Sequence, residues 1–115
     1  MRDDVLLKVY GHIWPVTEAL CSDMEQCAAA AMGSSDDDIP VFERDGNMAR
    51  ISFEGIYFPA DEMLEAIGRH ISEDMQGKLD VLDLEAWRLT RHRFEKGKIL
   101  SSSAPLNNVL DYSGH

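Results

Sequence analysis

Ile39-Pro-Val-Phe-Glu-Arg-Asp-Gly-Asn-Met-Ala-Arg-Ile-Ser-Phe-Glu-Gly-Ile-Tyr-Phe58 decides the fold class, because this stretch checks its own register. Residues 39–44 and 47–58 flank Asp45-Gly46, a dipeptide favoured in two-residue primed turns. With that turn, Phe42 lies opposite Ala49 and Pro40 opposite Ile51. One face then collects Pro40, Phe42, Ala49, Ile51 and Phe53; the other collects Val41, Arg50, Ser52 and Glu54. Alternation and turn register agree, so the segment reads as a β-hairpin with one apolar face.

Downstream, Pro59 opens a helix running to about Asp74. Asp61 and Glu62 sit in its first turn, where the helix dipole favours acids. Met63, Leu64, Ile67 and Ile71 form its buried stripe, with His70 beside it as a packing residue. Gly77 marks the stop. The last third admits two readings. Leu79, Leu82, Ala86 and Leu89 fit a helix; Leu84–Glu95 and Lys98–Ser103 fit a second hairpin about Lys96-Gly97. That turn pairs Glu95 with Lys98 and Phe94 with Ile99, a charge pair and an apolar pair, and the hairpin is preferred. Its apolar side switches along its length, which implies a bulge or a ribbon projecting past the core. Pro105 ends the strand, and Leu106–Tyr112 follows as a tail.

Upstream, residues 4–32 read as helix. Leu6, Val9, Ile13, Val16, Leu20, Cys27 and Ala30 recur at three- and four-residue steps, with Met24 filling a missed beat at Asp23. Pro15 divides the segment into a short first helix and a longer second one ending near Gly33. Gly33-Ser-Ser-Asp-Asp-Asp38 is a polar linker without the ligand spacing of a calcium loop. The expected fold is α+β: an N-terminal helical pair, then β-hairpin, helix and β-hairpin, forming a small antiparallel sheet packed on helices. One domain spans 1–115, with a helical segment at 1–32, the linker at 33–38 and an α+β core at 39–115.

The 115 residues are 44% hydrophobic, enough for one core. A net charge of −10 repels phosphate backbones and anionic lipid, so nucleic acid and membrane are disfavoured as partners. No stretch has the roughly 20 apolar residues of a bilayer span or the pattern of a signal peptide, so a cytoplasmic location is expected. Cys21 and Cys27 lie too far apart on a helix to form a disulfide, and they read as small buried apolar residues.

Charge is unevenly spread. Five of the eleven Lys and Arg residues fall at Arg88, Arg91, Arg93, Lys96 and Lys98, with Glu95 the one acid among them. The leading functional reading is a non-enzymatic interaction module gripping an acidic protein partner through the 87–98 ribbon. Arg91, Arg93, Lys96 and Lys98 would supply contact charge and Trp87 an anchor, since Trp and Arg are enriched at binding hot spots. An alternative is a small-ligand or metal-dependent enzyme using Asp80, Asp83 and Glu85 with His70 or His92, since paired carboxylates serve acid–base chemistry or Mg²⁺. A third is a self-associating subunit, a homo-oligomer through the N-terminal helices. Neither a nucleophile elbow nor a phosphate loop occurs, the histidines lack metal-ligand spacing, and no cofactor or metal is expected.

Overall fold

In the computed structural model, residues 5–33 and 40–106 are described. Among them lie seven strands and two helices: β1 Leu7–Trp14, α1 Glu18–Ala29, β2 Met32–Gly33, β3 Phe42–Asp45, β4 Met48–Tyr57, α2 Ala60–His70, β5 Gln76–Asp83, β6 Arg88–Glu95 and β7 Lys98–Pro105. The strands form one antiparallel sheet in the order β2-β4-β1-β5-β6-β7, with β3 also paired to β4. The fold is thus α+β with an antiparallel sheet. Among the described residues no helix is long and apolar enough to cross a membrane.

The expected N-terminal helical pair is not there: the chain begins with a strand, and only the second half of the pair is helix. Leu7, Val9, Gly11 and Ile13 turn to the core while Lys8, Tyr10, His12 and Trp14 turn away, a period of two. Leu6, Val9, Ile13 and Val16 also fit three- and four-residue steps, which is why the segment mimics a helix. The β-branched and aromatic content of residues 9–14, and pairing on both sides, decide for strand. Thr17 then caps α1 by accepting the Leu20 N–H at 3.1 Å, and Leu20, Cys21, Met24 and Ala28 form its buried stripe.

The Phe42–Tyr57 hairpin keeps the expected faces from Phe42 onward, whereas before it Pro40 is exposed and Val41 packs against the core, and its turn shifts by one residue. Asp45 pairs with Met48, so Gly46 and Asn47 are the central residues and Phe42 lies opposite Ile51. Gly46 has φ +63°, the mark of a turn with glycine first. Because partners move by two positions, Ala49, Ile51 and Phe53 stay buried. The last hairpin matches its expected register, with Glu95 opposite Lys98 and Phe94 opposite Ile99. Lys96 (φ 55°) and Gly97 (φ 73°) form its turn. It neither bulges nor projects, because β6 pairs residue by residue with β5, a strand hidden in the stretch that fits a helix on paper. The 33–38 linker and the tail after Leu106 fall largely outside the described residues.

Both helices pack on one face, over Val9, Ile13, Ile51, Phe53, Leu79 and Phe94. They are clasped to each other by His70 on α2, whose Nε2 lies 2.8 Å from Asp23 Oδ2 on α1. The central β1–β5 seam depends on glycine. A Cβ on Gly77, at φ +152°, would lie 2.0 Å from the His12 carbonyl oxygen, inside any allowed contact. Replacing it therefore forces both backbone strain and separation of the two middle strands. Gly77→Ala is expected to lower stability by about 1–3 kcal/mol, read from the denaturant midpoint, while Gly46→Ala at the open turn tip costs less.

Candidate anion-binding face of the sheet

The other face of the sheet carries no helix among the described residues, and strand alternation determines what it displays. Reading across the strands at one level gives Glu43, Arg50, His12, Lys78, Arg93 and Leu100, each directly opposite the next. Neighbouring strands lie about 4.8 Å apart, so the stripe from Arg50 to Arg93 is roughly 14 Å long. The level beside it reads Ser52, Tyr10, Asp80, Arg91 and Ser102.

These cations are unequally neutralised. Arg50 meets Asp45 at 3.1 Å and Glu43 at 3.6 Å. Arg91 grips Asp80 with both arms of its guanidinium, Nε to Oδ1 at 2.8 Å and Nη2 to Oδ2 at 3.0 Å. Lys78 shares that carboxylate at 3.5 Å. Asp80 is 9% exposed, so its charge is already committed on both sides. Arg93 has only Glu95, at 3.9 Å, among the described residues. Lys78 and Arg93 are thus like charges directly opposite each other, an arrangement that costs a sheet stability.

An aromatic wall stands beside them. The His12 and Trp14 rings lie 5.1 Å apart at 32°, and with Lys78 and Arg93 they line a shallow hollow of about 280 Å³. Burial pushes the His12 pKa down, with Lys78 and Arg50 adding to the effect against Asp80. At neutral pH the stripe therefore holds a neutral imidazole between cations. Nearby, the Tyr10 hydroxyl donates to Glu54 at 2.5 Å, and its pKa is pushed up to about 12 by burial and that carboxylate.

The residues expected to form the contact ribbon are divided by this geometry. Arg93 and Lys98 lie on the open face at one end, with Lys96 in the adjoining turn. Arg91 is on the same face but committed to Asp80. Trp87, 45% exposed, occupies the turn before β6 at the far end of the strand, some 30 Å from Lys96 by strand rise. Its carbonyl accepts the Leu106 N–H at 2.9 Å. His12, Trp14, Arg50 and Lys78 were not anticipated. Two of them sit in the segment that mimics a helix, and the one signal available was the alternation Lys8, Tyr10, His12, Trp14.

The acidic set does not converge. Asp80 lies on the open face, and Asp83 accepts the Glu85 and Ala86 N–H groups at 3.0 Å in a turn. His70 is held by Asp23, and His92 faces the helix side with Nδ1 2.7 Å from Ser101 Oγ. Among the described residues no three His, Cys, Asp or Glu side chains gather to hold a metal ion. No protein-family model, curated protein or solved structure matches this chain.

Burial also lowers the His92 pKa, against Asp61 and Asp80. An unfolded histidine titrates near 6.5, so between that value and the lowered folded ones the unfolded chain binds more protons. Stability contributed by His12 and His92 is therefore full at neutral pH and lost as pH falls below about 6.5. Both imidazoles are expected to titrate below 6.5 by NMR. Lys78→Gln should raise the His12 value and leave His92 in place, and His12→Gln/His92→Gln should flatten the fall in urea midpoint between about pH 6.5 and pH 5.

Proposed function

We propose that the protein is an interaction module whose open sheet face takes up an acidic segment of a protein partner at the Lys78–Arg93 end of the stripe. One observation carries the reading: Lys78 opposite Arg93, on a face that no described helix covers, with weak internal compensation among the described residues. A carboxylate arriving between them removes a repulsion as well as adding an attraction. Lys96 and Lys98 extend the positive field at the same end, and Trp14 supplies the anchor first assigned to Trp87. Lys96 adds a further sign. It holds φ 55°, a conformation usually given to Asn or Gly in such turns, and strained backbone clusters at sites of function.

A short acidic peptide suits this surface better than a nucleic acid. The chain's −10 charge repels a long polyanion along most of its path, whereas a few carboxylates can be confined to one stripe. Selectivity would come from charge placement and from the flat His12–Trp14 wall.

The test uses fluorescently labelled octaglutamate, read by anisotropy. Binding should weaken as salt rises from about 50 to about 300 mM, because the screening length of exposed charges falls from about 14 Å to about 6 Å. Lys78→Gln/Arg93→Gln should cost about 1–2 kcal/mol, near tenfold in affinity. Arg91 is left intact so that Asp80 keeps its partner. Equal binding by the variant would move the site elsewhere, and tighter binding of single-stranded oligothymidylate than of octaglutamate would replace the protein partner with a nucleic acid.

A further inference from the structure

The two edges of the sheet are built differently. On one side, β4 is covered by β2, two residues long, and β3, four residues long and carrying Glu43, Arg44 and Asp45. Short, charged edge strands are the usual guard against unwanted pairing. On the other side, β7 runs for eight residues and pairs only with β6 among the described residues. Between Lys98 and Pro105 it reads Ile-Leu-Ser-Ser-Ser-Ala, without a charge.

The hydrogen-bond phase of that edge is determined. Leu106 N–H bonds to the Trp87 carbonyl, and the β6–β7 register pairs residues whose numbers sum to the same value as that pair. Bonded and non-bonded pairs alternate along an antiparallel ladder. Lys98, Leu100, Ser102 and Ala104 therefore spend their backbone groups on β6, while Ile99, Ser101 and Ser103 aim theirs outward. Pro105, which has no N–H, falls in the outward set, where its lack costs the sheet nothing.

We infer that β7 is an acceptor edge, on which a stretch of the acidic partner adjoining the one held at Lys78 and Arg93 pairs as an additional strand through the backbone of Ile99, Ser101 and Ser103. This rests on the acidic-partner reading and specifies its mode of binding. Charge complementarity selects the occupant. A second copy adding through the same edge would bring two basic hairpins together. An acidic strand instead meets Lys98 beside it and Arg93 across Leu100 on the open face. On the helix face it meets Arg88, which reaches the edge by donating from Nε to Ser103 Oγ at 3.2 Å. Main-chain bonds would supply affinity and these cations the preference for acids, the division of labour seen in strand addition generally.

The test compares two synthetic decapeptides of alternating Glu and Val, one with free amides and one N-methylated at every amide, so that neither of its edges can donate. Their charge is equal; only one can pair. The free peptide should bind the full chain at least tenfold more tightly, and slow hydrogen exchange at Ile99, Ser101 and Ser103. Ser103→Pro removes an outward donor but no main-chain bond to β6, and Ser103→Ala loses the same Oγ contacts with Arg88 and Thr90 while keeping the donor. The proline variant should bind the free peptide about tenfold more weakly than the alanine variant, with the N-methylated peptide nearly unchanged. Equal binding of the two peptides overturns strand addition and leaves the acidic-partner reading in place; loss of octaglutamate and both peptides alike overturns both. Protection of the three amides before any peptide is added also overturns it. If that protection grows with protein concentration, a second copy holds the edge; if it does not, the chain's own residues do.

Discussion

A strand bonded on both sides is the constraint on which the rest of this molecule depends. β1 pairs with β4 along one edge and β5 along the other, and its inward residues Val9, Gly11 and Ile13 are fully enclosed. That position fixes which residues of five other strands share a level across the sheet. It also fixes which face α1 and α2 cover. The helices close over one side of the sheet, and side chains on the other side assemble into rows that no local sequence pattern specifies.

Function, in this reading, is a by-product of lateral alignment. Arg50, His12, Lys78 and Arg93 come from four strands and are remote in sequence, yet adjacent across the sheet. Asp80 shows the opposite use of the same geometry. Held between Arg91 and Lys78, it makes part of the face self-neutralising, and the positive character gathers toward the Arg93 end. The mixture of satisfied and poorly compensated charges gives the surface a direction.

Local structure was legible where a turn and an alternation agreed. The faces of the Phe42–Tyr57 hairpin, the pairing of Phe94 with Ile99 and the acidic first turn of α2 were all readable from spacing. Residues 7–14 were not, because four apolar residues satisfy helical steps and strand alternation at once, and only pairing partners break the tie. β5 was obscured similarly by Leu79 and Leu82, whose three-residue spacing suits a helix. Of the candidate site, Arg93, Lys96 and Lys98 were visible as a charge cluster. His12, Trp14, Arg50 and Lys78 were not, since strand order brings them together. The commitment of Arg91 to Asp80 was foreseeable only as the general tendency of nearby opposite charges to pair.

The placement of β1 also bears on the order of assembly. Its partners begin some forty and seventy residues later in the chain. During synthesis the Leu7–Trp14 segment emerges before both of its partners and cannot complete its ladder until residue 83 has followed. Hairpins β3–β4 and β6–β7 close over short loops, whereas the centre of the sheet must wait for distant contacts, the kind that slow folding. The nascent chain therefore carries an aromatic-rich strand with both edges unpaired until β4 follows and with one edge unpaired until β5 follows, a period in which association with other chains competes directly with folding.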